Sequence, residues 1–200
     1  MADLFAGAEP VEPGLPDADL LLYPAVELGC DYDNCLVELI AGTPWRFDEI
    51  KLYGKSYPQP RLTAWYGDPG CSSSYSGIRL EPLPWTETLL GLKERVEALS
   101  GYSFNSVLLN FYRDQSDSMG LHADDEPELG PEPVIASLSL GETRTMVFKH
   151  RTREELDSRQ LALEEGSLLL MRGGTQRNWK HAIRKESQAC GPRVNLTFRQ

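Results

Sequence analysis

Scarcity shapes the first reading of this 200-residue chain. It has three histidines, four cysteines, and no apolar run approaching the roughly 18 to 20 residues that cross a bilayer. No membrane partner is therefore expected. The cysteines, Cys30, Cys35, Cys71 and Cys190, contain no C-x-x-C spacing of the kind a structural zinc site wants. All four are expected to be reduced core or surface thiols. Basic residues are outnumbered, with 20 Lys and Arg against 30 Asp and Glu, for a net charge of −10. That balance argues against strong non-specific binding to a polyanion. A local basic groove stays compatible with it, because the field follows the distribution of charge. Met1-Ala2-Asp3-Leu4-Phe5 puts no basic region ahead of an apolar run, so no signal peptide is expected. A cytoplasmic location, nuclear in a eukaryotic source, follows by default.

What is present fits one domain. Residues 1–22 carry Pro10, Pro13 and Pro16 among acids and read as a flexible acidic arm with little regular structure. Residues 23–200 form the domain proper. Asp31-Tyr32-Asp33-Asn34 offers cap residues ahead of an apolar stretch from Cys35 to Ile40, a short helix ending near Gly42. Residues 47–53 and 59–66 look like strands separated by a Gly54-Lys55 turn and two prolines. Residues 86–99 predict a helix, with Thr86 as N-cap, leucines near helical spacing and Gly101 beyond the end.

From Phe104 onward strand signals dominate, over 106–113, 134–140, 143–150, 160–164, 167–171, 181–184 and 193–199. Gly141-Glu142 reads as a tight hairpin connection between two of them. A few N-terminal helices followed by many short strands predict a mainly β fold with flanking helices (α+β), with helices packed on a β-sandwich or jelly roll.

His122 and Asp124 are two residues apart, so on an extended segment they share a face. His181 begins a later strand that a closed or sandwiched sheet would bring opposite. Two imidazoles and a carboxylate are the ligand set that holds non-haem Fe(II) with open positions, and Mn, Co or Ni also suit it. The bare H-x-D pair is more often a surface hydrogen bond than a ligand pair. His150, within Lys149-His150-Arg151, is expected to be solvated.

Arg193, Asn195, Thr197 and Arg199 alternate with Val194, Leu196 and Phe198. That pattern fits either a half-exposed strand or one lining a polar cavity. Asn110 and Tyr112 share a face just before the H-x-D, and a guanidinium with a phenol would bind a distal carboxylate. Together these groups imply a 2-oxo dicarboxylic acid chelating the metal.

The motifs resemble a known family. They are Asn110-Phe111-Tyr112-Arg113, His122-Ala123-Asp124-Asp125-Glu126, Ile135 to Gly141, Gly166 to Met171, Trp179-Lys180-His181 and Arg193-Val194-Asn195-Leu196-Thr197-Phe198-Arg199. In this order, over roughly residues 45–200, they look like the AlkB family of Fe(II)- and 2-oxoglutarate-dependent dioxygenases, in particular its eukaryotic DNA-repair branch. The resemblance implies a double-stranded β-helix, a cupin-like jelly roll with an N-terminal helical and hairpin lid. On that scheme residues 45–103 are lid and supporting helix, and residues 104–200 are the catalytic core. It implies that His122, Asp124 and His181 bind iron, and that Asn110, Tyr112, Arg193, Asn195 and Arg199 bind 2-oxoglutarate. Arg193 and Tyr112 would meet the distal carboxylate. The implied reaction uses O2 to demethylate nucleobases, yielding succinate, CO2 and formaldehyde.

A methyl group on a Watson–Crick edge is inaccessible in a duplex, so the base must be single-stranded or flipped. By resemblance, Tyr53 sits where relatives carry a wedge. Arg61, Tyr66, Tyr75 and Ser76 fall in the substrate lid, with Tyr75 at the position that stacks on the base. Arg61, Lys51 and Lys55 are the cations available there for phosphates. Asp125 and Glu126 would accept from an exocyclic amine and attract a cationic methylated base. The expected partner is alkylated single- or double-stranded DNA carrying 1-methyladenine or 3-methylcytosine, with RNA as a further substrate, and the expected state is a monomer. The alternatives are the same chemistry on RNA, protein or a small molecule, or a non-catalytic nucleic-acid-binding module.

Overall fold

The computed structural model describes residues 9–47, 49–52, 55–71, 73–75 and 78–200. The first elements are β1 (Asp19–Tyr23), α1 (Tyr32–Gly42), β2 (Glu49–Leu52), β3 (Lys55–Pro58) and β4 (Leu62–Gly67). Next come β5 (Ser73–Tyr75), β6 (Ile78–Leu80), α2 (Glu87–Ser100), β7 (Ser106–Tyr112) and β8 (Met119–His122). After a 3-10 turn at Pro127–Leu129 follow β9 (Ile135–Gly141), β10 (Arg144–His150), β11 (Arg159–Leu163) and β12 (Leu168–Arg172). The last are α3 (Thr175–Asn178), β13 (Trp179–Ile183) and β14 (Arg193–Arg199).

Local chemistry places the helix ends where the sequence predicts them. The Asp31 side chain accepts from the Asn34 amide at the start of α1. Thr86 accepts from the Leu89 amide at the start of α2, and Gly101 closes that helix in the left-handed conformation.

Among the described residues the strands form a six-stranded antiparallel sheet, ordered β1-β12-β9-β14-β7-β4, and a four-stranded one, ordered β11-β10-β13-β8. Two hairpins, β2-β3 and β5-β6, stand apart from both. The two larger sheets face each other as a jelly roll. Leu20, Tyr112, Ile135, Leu169 and Met171 from one meet Met146, Phe148, Leu163, Trp179 and Ile183 from the other. On the opposite side of the six-stranded sheet, Val194, Leu196 and Phe198 pack with Leu36 and Leu39 of α1 and Leu89, Leu92 and Val96 of α2. Each such side chain buried from water contributes roughly 1.5–3 kcal/mol.

Four expectations are corrected. Residues 19–22, expected at the end of a loose arm, belong instead to strand β1, which pairs along its length with β12. Leu20 there is buried, an apolar gain the prolines upstream concealed. Gly141-Glu142 does not close a hairpin, because β9 and β10 lie in different sheets. The chain crosses between sheets at Gly141, whose φ of +85° suits glycine and where a Cβ would collide with the Pro192 carbonyl oxygen. Cys30 and Cys35 are joined in a disulfide at the entrance to α1, while Cys71 and Cys190 are free. His150 is buried rather than solvated: its ring stands edge-on to Trp179, and Nδ1 accepts from the Thr152 and Arg153 amides.

Candidate active site

Strand alternation builds one wall of the cavity between the sheets. Arg193 lies opposite Tyr112, and Asn195 opposite Asn110, across the β14–β7 register. On its other side β14 pairs with β9, setting Asn195 against Ser139 and Thr197 against Ser137. The polar residues of β14 therefore point between the sheets, and the apolar ones point under the helices. Of the two readings open from sequence, the cavity-lining strand is the observed one.

The facing wall carries the metal candidates. His181 on β13 is the direct cross-strand partner of His122 on β8, so the two imidazoles are neighbours in one sheet rather than opposed across two. Their ring centroids are 4.2 Å apart. Asp124 follows the end of β8, is buried, and brings Oδ2 to 3.6 Å from His181 Nε2. One ligand atom from each of His122, Asp124 and His181 lies within 4.8 Å of the others.

The surrounding hydrogen bonds select which atoms face the centre. His122 Nδ1 is 2.9 Å from the Gly120 carbonyl oxygen, which only accepts. Nδ1 must then carry the proton, leaving Nε2 as the nitrogen able to ligate. Arg199 Nη2 donates to Asp124 Oδ1, which leaves Oδ2 free to ligate. Burial alone would raise the Asp124 carboxyl, but Arg199, His181 and His122 outweigh it and hold the group below its usual range. Burial, then the neighbouring His122, pushes the His181 imidazole down to about 4, so its neutral, ligating form prevails at neutral pH.

One positioning residue escaped the sequence reading. Gln176 of the single-turn α3 is buried, and its Oε1 accepts from the Asp124 amide at 3.0 Å. A lone Gln in a polar tetrapeptide gives no periodic signal, so sequence alone had nothing to mark it.

Arg193 carries most of the unpartnered donors of this cavity. It is buried, its guanidinium carbon lies 5.3 Å from the Tyr112 ring centroid, and Nη2 donates to Ser139 Oγ at 3.0 Å. Its Nε and Nη1 are buried with no partner, and so is Nε of Arg199. Burial lowers the Arg193 guanidinium to about 10, which leaves it charged at neutral pH. Unpaired buried donors of this kind are costly unless an acceptor arrives, and a carboxylate supplies two acceptor oxygens. Asn110 and Asn195 line the same cavity but largely bond the protein: Asn110 Nδ2 donates to Asn195 Oδ1, and Asn195 Nδ2 donates to Ser137 Oγ. The donor set thus fits a divalent metal together with a dicarboxylate.

The proposed substrate residues divide. Arg61 is no phosphate contact; it is buried and its Nε donates to Asn110 Oδ1 at 2.8 Å. Tyr66 is buried in the core beneath the helices, and a one-residue change of face makes Trp65 the aromatic that lines the outer cleft. That cleft, of about 670 Å³, also takes in Glu126 and Arg199, whose Nη1 is 3.8 Å from Glu126 Oε1. Asp125 is tied to Arg151 at 2.6 Å. Tyr53 and Ser76 lie outside the described residues, as do the side chains of Tyr75, Lys51 and Lys55.

Residues 31–199 match the family model described as the 2OG-Fe(II) oxygenase superfamily. The chain belongs to that superfamily. Within it, the chain is an AlkB-family oxygenase. It is 44% identical over 186 residues to alpha-ketoglutarate-dependent dioxygenase alkB homolog 3 of Mus musculus, covering 89% of this chain and 64% of that protein. It is 41% identical over 157 residues to DNA oxidative demethylase ALKBH2 of Homo sapiens, covering 76% of this chain and 60% of that one. The chain thus spans less than two thirds of the length of these curated relatives. A solved structure of OsALKBH1 shares the fold at a TM-score of 0.63 and 18% identity, covering 94% of this chain and 99% of the other. For an AlkB-family oxygenase the cofactors are Fe(II), 2-oxoglutarate and O2, and the His122, Asp124 and His181 set agrees with the iron.

Proposed function

We propose that the chain is an oxidative demethylase of N-alkylated bases in nucleic acid, acting on 1-methyladenine and 3-methylcytosine in DNA as a direct-reversal repair enzyme. The observation that carries the reading is the juxtaposition of the His122, Asp124 and His181 set with the unpaired buried donors of Arg193. When bound, Fe(II) with 2-oxoglutarate and O2 supplies oxidation of the N-methyl carbon, which leaves as formaldehyde while the co-substrate becomes succinate and CO2.

The protein's own part is binding and orientation. His122 Nε2, Asp124 Oδ2 and a His181 ring nitrogen would hold the metal. Arg199 fixes the Asp124 carboxylate, and Gln176 fixes its backbone. Arg193, itself buried, would hold the distal carboxylate of the co-substrate with its unpartnered donors. Glu126, at the cleft beside Arg199, and Asp125 next to it attract a base that carries positive charge after methylation. The relatives named for dioxygenase and DNA demethylase activities support this reading.

The test incubates the chain with Fe(II), 2-oxoglutarate and a single-stranded oligonucleotide bearing 1-methyladenine, following formaldehyde and the repaired base. Iron-dependent demethylation that vanishes in His122→Ala and Asp124→Ala is the expected result. Consumption of 2-oxoglutarate without demethylation would assign the chemistry to another substrate.

A further inference from the structure

We propose that the outer face of the four-stranded sheet carries a strip of cations, Lys149, Lys180 and Arg184, that holds the phosphates of the nucleic-acid strand whose base enters the site. The inference rests on the proposed function and names a contact surface for the same substrate.

The register supplies the first observation. Lys149 of β10 and Lys180 of β13 are direct antiparallel partners, and both are exposed. Like charges placed opposite each other across a strand pair are destabilising. Arg184 follows the end of β13, four residues beyond Lys180, and strand alternation carried one residue past Ile183 puts it on the same face, about 13 Å away. Trp179 and Ile183 pack in the core between the sheets and His181 lines the cavity there, which turns the alternate residues, Lys180 and its partner Lys149 among them, to the other face.

Partner counting supplies the second. Several guanidiniums around this face have carboxylate partners: Arg151 with Asp125, Arg153 with Asp17 and Glu155, and Arg177 with Glu132. Among the described residues, the side chains of Lys149, Lys180 and Arg184 have no hydrogen bond or ion pair. In a chain of net charge −10, three neighbouring cations left without counter-ions suit an anion from outside.

Position supplies the third. β8, which carries His122, is the edge of this sheet, and β13 and β10 follow it inward. Lys180 and Lys149 therefore stand one and two strands from the ligand-bearing edge, about 5 and 10 Å by ordinary strand spacing. A strand giving up a base at His122 and Asp124 can continue across β8 onto this face. Successive phosphates along an extended strand match a linear strip of cations better than a single anion does.

The experiment compares wild type with Lys149→Ala/Lys180→Ala, using a single-stranded oligonucleotide with one 1-methyladenine and, separately, the 1-methyladenine nucleoside, which has no phosphate. The double variant should bind the oligonucleotide about tenfold more weakly. The slope of log affinity against log salt should shrink by about 1.4, at about 0.7 per single-strand phosphate lost. Nucleoside turnover and the KM for 2-oxoglutarate should not change, and the melting temperature should hold or rise as the like-charge pair disappears.

Equal oligonucleotide affinity and equal salt slope in an active wild type and the variant would overturn the strip while leaving the demethylase reading intact. A wild type that neither binds nor demethylates the oligonucleotide overturns both. Equal losses on oligonucleotide and nucleoside would place the effect in the site itself and also overturn the strip.

Discussion

The two faces of β14 are both buried, yet they do different things. Val194, Leu196 and Phe198 meet the helices and complete a core. Arg193, Asn195 and Thr197 meet a cavity, and Arg193 still has two buried donors with no acceptor. Apolar burial is favourable in itself, whereas a buried guanidinium with unmade hydrogen bonds is not. One face therefore holds the fold together, and the other keeps unpartnered donors at some cost to stability.

That contrast can be broken from either side. The largest expected effect is on the apolar face: Phe198→Ala should destabilise the chain by about 3–5 kcal/mol in denaturant unfolding. The 2-oxoglutarate KM of its folded fraction should nonetheless stay near wild type. Arg193→Met should do the reverse. Its melting temperature without ligands should equal or exceed wild type, while the 2-oxoglutarate KM rises by about 100-fold, as when a charge-assisted pair worth roughly 3 kcal/mol is lost. A marked drop in melting temperature without a change in KM would show that Arg193 belongs with the structural face.

Gln176→Leu tests the support beneath the metal carboxylate. Metal affinity, read by Co(II) titration, should fall about 10- to 100-fold, the range for residues that orient ligands. The 2-oxoglutarate KM should move far less, and an unchanged affinity would remove Gln176 from the site.

The smallest expected effect is on pH. His181 is lowered from 6.5 to about 4 by burial and His122. Between those values the unfolded chain binds the proton and the folded chain does not, so stability is complete above 6.5 and declines as pH falls toward 4. Asp124, also held low, acts in the same direction at the acid end. Melting of metal-free protein from pH 7 to 5 should show this decline, shallower in His181→Asn. The same slope in both would trace it to other groups.

Much of the site was legible because it lies on alternating strands. The bounds of β14 match its polar and apolar alternation residue for residue, and the caps of α2 are those its sequence advertises. The resemblance supplied the ligand roles, and the geometry brought His122, Asp124 and His181 together. What failed depended on long-range packing. The alternation around Trp65 and Tyr66 does not say which side will be covered by helices, and Arg61 looks like a phosphate contact until Asn110 turns it inward. His150 looked solvated among basic neighbours until Trp179 covered it. Gly141 looks like a hairpin turn because sequence proximity carries no information about which sheet receives the next strand. β3 and β8, four residues each, are too short to announce themselves.

The direct pairing of His122 with His181 has a kinetic consequence. These partners are about 60 residues apart in the chain, and contacts of such separation carry a loop-closure cost that local ones escape. The second imidazole reaches the first only when β13 docks on β8, and a one-residue slip there would turn it to the other face. The metal centre is thus a record of correct register: a chain that takes up iron tightly has already completed the edge of its smaller sheet.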